Sequence, residues 1–372
     1  MTKTEMSVGI VVHDFDSGFG QGRYCIEIVR RLCDRIKFTI FSCTYASQEM
    51  PNVTWVKVPT LRYDALTTVF TFVPSAERML KKHPTDLVHC QGLTSWSSDI
   101  ITGHICNAAR LKRMNTRWVK PRLFAQLVTP PERWFYQNPK ARHVISISRV
   151  LDAEIRREYG WNKPSTVIYH GTDSIQFRPP EPGERARLRE RFKIAGDDWT
   201  WLFMGEAIKG LRQVIDQLVD FPTAKLLVVT RSSLKMYQEQ AERLGVLDRV
   251  IFHGFEKRPE EAFRAVDVFL YPSDYDPFGM VVSEAMASGV PVLVGYELGA
   301  AELITDHETG LLIDPHQPDS IRNALKWIEA DPVRAKAMGV AGRAAIQQHS
   351  WDVCAEATLE VYRRVYREKF PA

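Results

Sequence analysis

The chain has 372 residues, 45% hydrophobic and 25% charged, an ordinary balance for a folded globular protein that excludes collagen-like, coiled-coil and disordered classes. This length exceeds what one core usually organises, so two domains are expected. The formal net charge of +4 is too small for a dedicated nucleic-acid binder.

In chain order, the apolar run 7–12 predicts a strand, stopped by His13 and Asp14 before it reaches the length of a signal-peptide core. A helical pattern over 20–34, strands over 37–43 and 53–58, a helix near 75–82 and a strand over 86–90 follow. Strands at 143–148 and 166–170 flank a helix at 149–159, which Ser148 is placed to cap. Arg178 to Gly183 holds three prolines and a glycine, a linker or sharp turn. The alternation restarts with strands at 199–204, 225–230, 250–254, 267–272, 291–295 and 311–313, and closes with helices at 332–348 and 351–369. Short apolar runs alternating with helices predict α/β parallel sheets in two halves, about 1–175 and 176–350. The segment 351–372 is then free to cross back to the N-terminal domain.

No apolar run approaches the roughly 20 residues needed to span a bilayer. Six cysteines without a Cys-x-x-Cys pair read as reduced core residues, in a reducing, cytoplasmic compartment, and no metal cluster is expected.

Open parallel sheets bind ligands beyond the carboxyl ends of their strands. The first such junction, His13 to Arg23, places Gly18, Gly20 and Gly22 in a loop opening a helix, without the dinucleotide-binding spacing. Asp274 to Val292 is richer. Asp276 precedes Pro277, which suits an N-cap followed by proline at the first helical position. Glu284 sits among Met280, Val281, Val282, Ala285, Met286 and Ala287, so its carboxylate is expected to be buried and to need donors. Two vicinal hydroxyls of a ribose would supply them.

The spacing Asp-Pro-Phe-Gly-x4-Glu-Ala-Met-Ala-x-Gly-x-Pro-Val resembles the donor signature of glycosyltransferase family 4, with Asp276 in place of the family's first Glu. His170 to Pro179, Gly205 to Gly210, Gly299 to Ile304 and Glu308 to Leu312 resemble further segments of that family. The resemblance implies the GT-B fold, two Rossmann-like domains facing across a cleft. It implies a retaining transferase that uses a nucleotide-sugar, expected to be a UDP-sugar, with no metal or other cofactor. By resemblance, Gly205 and Lys209 hold the diphosphate, Glu284 the ribose, and Phe278, Gly279, Met280 and Asp276 the sugar. Glu206 stands where the family has an arginine, which Arg212 or Arg231 would replace. Gly20 is assigned to the donor and His104, ending the segment Ile100 to His104, lies beside the donor sugar. His13, Asp14 and Asp16 face the acceptor, a glycan or lipid-linked glycan of lipopolysaccharide or exopolysaccharide synthesis. A sugar-nucleotide epimerase and a two-lobed sugar-binding protein remain as alternatives.

Between Arg110 and Arg142 stand nine Lys or Arg and one acid, Glu132, giving +8 with Trp118, Phe124, Trp134, Phe135 and Tyr136 interleaved. Such a stretch suits an anionic membrane surface on the inner face of the plasma membrane. It resembles the membrane-interacting region of lipopolysaccharide-core glucosyltransferases; a solvated face is the alternative. Pro121, Pro130 and Pro131 argue against one continuous helix there.

Overall fold

The apolar runs of the first half become strands β1 (Ser7–Val11), β3 (Lys37–Ser42), β5 (Val53–Lys57), β6 (Leu87–Gln91), β7 (Ile100–Gly103), β8 (His143–Ser146) and β9 (Ser165–Val167), with short strands β2 (Asp14–Asp16) and β4 (Thr44–Ala46) paired beside them. The structure is a computed structural model that describes residues 6–18, 20–46, 50–113 and 119–371. The chain divides into two compact units, Met1–Gly171 with Trp351–Ala372, and Thr172–Ser350.

Among the described residues, the first unit holds a parallel sheet in the order β5-β3-β1-β6-β7-β8-β9. The second holds β10 (Thr200–Met204), β11 (Lys225–Val229), β12 (Val250–Gly254), β13 (Val268–Tyr271), β14 (Val292–Gly295) and β15 (Leu311–Ile313), parallel and in the order β12-β11-β10-β13-β14-β15. Both orders start centrally, wind outward and then reverse. The reversal falls between β1 and β6 in one unit and between β10 and β13 in the other. These are the places where loops diverge and ligands enter doubly wound sheets. The central strands β6, β7, β8, β10, β13 and β14 are buried at every residue, which explains why they read as unbroken apolar runs.

Two helices differ from the sequence reading. The one expected near 75–82 spans Ala65–Lys82, started by a capping box in which Asp64 and Thr67 bond each other's backbone N–H. Val119–Tyr136 is one helix despite Pro130 and Pro131. The reason is common to both. Proline lacks the N–H that would bond the carbonyl four residues earlier. Those carbonyls belong to Phe70, Gln126 and Leu127, all on exposed faces where water can bond them.

The terminal helix Trp351–Lys369 belongs to the first unit. It buries Trp351, Cys354, Ala355, Thr358, Leu359, Tyr362 and Val365, three or four residues apart along most of its length. It lies against the helix Gly20–Leu32, with Arg31 paired to Asp352 at 2.6 Å and Arg35 paired to Glu356. All six cysteines are free thiols, five of them buried. Among the described residues no helix is long and apolar enough to cross a membrane.

Candidate functional site

In the second unit, the loops after β10 and β13 flank the reversal point. The first carries Gly205 to Gly210 and leads to the helix Leu211–Gln217. Gly210 has φ of +107°, and a Cβ there would lie 2.6 Å from the Pro272 carbonyl oxygen, so only glycine lets the two loops touch. Ser232, beyond β11, accepts the Ala207 N–H through Oγ at 3.1 Å and holds the loop from its other side.

That contact brings together two residues 67 positions apart. Lys209 Nζ lies 2.7 Å from Asp276 Oδ2. The same oxygen accepts the Tyr271 hydroxyl at 2.9 Å, and Oδ1 accepts the Phe278 N–H at 3.2 Å. Burial, and then the Asp276 charge, push the Tyr271 phenol well above its ordinary range, so it stays a donor. Asp276 is therefore not the N-cap that the following proline suggested. Its carboxylate closes an Asx-type turn and is shared with lysine and tyrosine. The cap is Gly279, at φ +90°, and the helix begins at Met280.

The helix Met280–Ala287 has Glu284 in its second turn, 5% exposed, as its apolar surroundings predicted. Phe278 is buried and Met280 partly so. The loop before the helix is clamped by the next segment. Gly299 N–H donates to the Asp276 carbonyl at 3.1 Å and Ala300 N–H to the Phe278 carbonyl at 2.7 Å. The first N–H groups of this helix lack intrahelical partners, an arrangement that favours oxygen ligands.

The remaining donor candidates sit around these loops. Glu206 is exposed and close enough to raise the Tyr271 pKa through its charge. Arg212 is exposed on the helix Leu211–Gln217 and acts on Tyr237. Arg231 lies with its guanidinium carbon 4.0 Å above the Phe255 ring.

In the first unit, His104 stands just beyond β7 and its Nε2 lies 2.8 Å from Gln91 Oε1. Its ring stacks on His170, centroids 5.7 Å apart, and meets Tyr24 edge-on at 5.4 Å. Burial holds its pKa well below the usual imidazole value, so it is neutral. Gly20 opens its helix with empty space where a Cβ would stand. The glycine the fold requires is Gly22, whose Cβ would lie 2.2 Å from the Asp16 carbonyl oxygen. Asp16 accepts the Gly18 N–H at 2.8 Å and so shapes the first loop. Asp14 accepts the Thr44 hydroxyl at 2.6 Å and pairs with Arg62 at 3.0 Å. His13 packs on Phe72 at 4.5 Å and is pushed down to about 4 by burial. Ser148 caps the helix Arg149–Tyr159, accepting the Leu151 N–H.

The basic stretch is partly neutralised from the neighbouring helix. Lys112 pairs with Glu158 at 2.6 Å and Arg113 with the buried Glu154. Arg117 and Trp118 lie outside the described residues. Leu123, Leu127 and Trp134 are all exposed on one face of Val119–Tyr136, whereas Phe135 and Tyr136 are buried.

Residues 20–175 match the family Glycosyltransferase Family 4, and residues 184–345 match Glycosyl transferases group 1. Each unit thus matches one of two glycosyltransferase domain families, and the two parallel sheets have the GT-B fold. A D-inositol 3-phosphate glycosyltransferase of Xylanimonas cellulosilytica is 32% identical over 247 residues, 61% of this chain and 59% of that protein. The chain therefore spans less than two thirds of that relative's length. Sucrose-phosphate synthase from Thermosynechococcus elongatus superposes with a TM-score of 0.83 at 22% identity, covering 98% of this chain and 100% of that one. Anabaena Alr3699/HepE, solved in complex with UDP-glucose, gives 0.76 at 18% identity, covering 96% and 100%. These two likenesses show the fold.

Proposed function

We propose that the protein transfers a sugar from a nucleotide-sugar, a UDP-sugar in this reading, to a glycan or lipid-linked glycan with retention of anomeric configuration. The observation that carries this reading is the Lys209–Asp276 pair between the two loops at the reversal point of the second sheet. Lys209 supplies positive charge for the diphosphate, and the N–H groups of Gly279 and Met280 meet sugar oxygens. Glu284 accepts from the ribose hydroxyls. Asp276 holds Lys209, and Tyr271 holds Asp276. The bond between the anomeric carbon and the phosphate oxygen breaks, and the acceptor oxygen bonds that carbon on the same face. The acceptor proton passes to the departing phosphate oxygen, so charge stabilisation by Lys209 takes the place of a metal ion. His104 contacts a sugar hydroxyl, and the first loop, with His13, Asp14 and Asp16, borders the acceptor.

A lipid-linked acceptor of lipopolysaccharide or exopolysaccharide synthesis is favoured by the exposed Leu123, Leu127 and Trp134 beside Arg133. This combination suits peripheral contact with an anionic membrane.

The test is to incubate the protein with UDP-glucose, UDP-galactose and GDP-mannose, with and without excess EDTA. Released sugar is followed by NMR, and thermal stabilisation by each donor is recorded. A ligand at 100 times its dissociation constant should add about 2.7 kcal/mol. Release of the retained anomer from a UDP-sugar, undiminished by EDTA, is the expected outcome. A stable C-epimer of the donor would assign the fold to epimerisation instead, and activity lost in EDTA and restored by Mn²⁺ would overturn the lysine mechanism.

A further inference from the structure

The His104 ring ends a chain of buried hydrogen bonds that runs to the terminal helix. Its Nε2 faces Gln91 Oε1 at 2.8 Å. A carbonyl oxygen only accepts, so this nitrogen carries the proton. The other end of the same amide, Gln91 Nε2, lies 3.3 Å from His89 Nε2. An amide nitrogen only donates, so that ring nitrogen accepts, and it also takes the Thr102 hydroxyl at 2.7 Å. The proton of His89 therefore sits on Nδ1, which donates to the Tyr362 hydroxyl oxygen at 2.7 Å. Each donor in the series points the same way, from His104 through Gln91 and His89 to Tyr362.

The series is enclosed. His89 and Tyr362 are fully buried and Gln91 is 1% exposed. Desolvation keeps both imidazoles uncharged, so each ring has one proton to place. With the His104 proton on Nε2, its Nδ1 is left as an acceptor. The ring cannot turn easily, being stacked on His170 and edged by Tyr24. Tyr24 and Trp351 both pack on His170, so the terminal helix braces the same group a second time.

We propose that Gln91, His89 and Tyr362 are positioning residues that fix His104 as its Nε2-protonated tautomer and present Nδ1 as the hydrogen-bond acceptor for a sugar hydroxyl. The proposal rests on the reading of His104 as a substrate contact given above. It assigns the terminal helix a task beyond packing, because Tyr362 is what receives the His89 proton. A histidine of the opposite tautomer would offer a donor at that position and would no longer accept the hydroxyl hydrogen.

The experiment is long-range ¹H–¹⁵N correlation of the histidine rings in the full-length ¹⁵N-labelled protein, with initial rates on the donor found active. In the wild type, His104 is expected as the Nε2–H form and His89 as the Nδ1–H form. Tyr362→Phe keeps the ring and removes the acceptor. The series should then reverse, with His104 protonated on Nδ1 and kcat/KM down at least tenfold, while the melting temperature moves by only a few degrees. Gln91→Glu is the second variant. The new carboxylate still accepts from His104 but cannot donate, so His104 should keep its tautomer while the His89 proton moves to Nε2. A wild-type His104 protonated on Nδ1, or tautomers indifferent to both variants, would overturn the proposal. The expected tautomers in a protein that transfers no sugar would refute the transferase reading and leave the relay standing.

Discussion

Asp276→Asn separates the two roles that meet at this residue. The native carboxylate takes Lys209 Nζ at 2.7 Å and the Tyr271 hydroxyl at 2.9 Å on one oxygen, and the Phe278 N–H at 3.2 Å on the other. Asparagine keeps one acceptor oxygen and loses the charge. An exposed ion pair contributes about 0–1 kcal/mol, whereas a hydrogen bond to a charged group contributes about 1.5–3 kcal/mol. The lysine side chain is 28% exposed and the aspartate 11%, so the pair lies between these limits. A loss of about 1–2 kcal/mol from the second unit is expected, or roughly 3–6 °C in its melting temperature. Binding of UDP should not follow stability. Removing a carboxylate beside a diphosphate removes a repulsion, so UDP should bind as well as before or up to about tenfold tighter, each tenfold being about 1.4 kcal/mol. Turnover should fall, by about ten- to a hundredfold, because Lys209 is no longer held where the leaving group departs. Calorimetry measures the first two quantities and initial rates the third. Weaker UDP binding with undiminished turnover would refute this reasoning, since it would make Asp276 a donor ligand rather than the anchor of Lys209.

Other outcomes follow from single groups. Glu284→Gln should leave the fold intact and weaken nucleotide-sugar binding about tenfold or more, as expected for the loss of charged hydrogen bonds; unchanged affinity by calorimetry would remove Glu284 from the ribose site. Glu206→Arg reverses an exposed charge near Tyr271, so UDP affinity should rise about tenfold at low salt and the gain should shrink as screening shortens; equal affinity at both salts would place Glu206 away from the diphosphate. Acid should unfold the first unit before the second. Burial lowers the imidazoles of His13 and His143 to about 4 and of His89 and His170 to about 3. The folded state then binds fewer protons than the unfolded one below pH 6.5, and each group costs about 1.4 kcal/mol per pH unit on the way down to its folded pKa. Glu132, pushed up to about 7, acts in the opposite sense between pH 4.5 and 7 and offsets one histidine. A first-unit melting temperature constant from pH 7 to 5 would contradict this balance. Co-sedimentation is expected with anionic but not zwitterionic vesicles, and Leu127→Ser with Trp134→Ser should reduce it; unchanged binding in that variant would make the stripe a solvated face.

Most strands were legible because a covered parallel sheet demands continuous apolar runs, and those runs ended within a residue or two of the observed strands in most cases; β7 and the short β2 and β4 were not read as strands. The burial of Glu284 was legible for a similar reason, since a helix apolar on nearly every side leaves its one carboxylate no exposed face. Pro130 and Pro131 misled because a sequence does not show which face of a helix meets water. Lys209 and Asp276 were each singled out, but their pairing depends on β10 and β13 being neighbours in the sheet though not in the chain. The histidine series had one overlooked local signal. His89 and Gln91 are two apart on a strand and so share a face, which put two polar side chains side by side in an apolar run. Their partner Tyr362 is 273 positions from His89 and was not foreseeable.

The charges around the donor loops suggest why Lys209 should be paired at all. Counting Lys209, Asp276 and Glu206, these side chains are net negative before any diphosphate arrives. An anion held there must draw on donors that bring no counter-charge, and the backbone N–H groups opening the helix Met280–Ala287 are of that kind. They lose no rotamer freedom on binding, and their direction is set by Gly279 at φ +90°. In the proposed mechanism Lys209 has two anions to choose between, the Asp276 carboxylate it pairs with and the diphosphate. An unpaired lysine would grip donor and product equally, and such uniform binding lowers KM without raising kcat. A paired lysine gives up its carboxylate only to the extent that charge has gathered on the leaving oxygen. In the proposed transfer that charge is greatest as the bond from the anomeric carbon to the phosphate oxygen breaks, so the pair would discriminate toward the transition state. On product release in this mechanism, the carboxylate would reclaim the lysine.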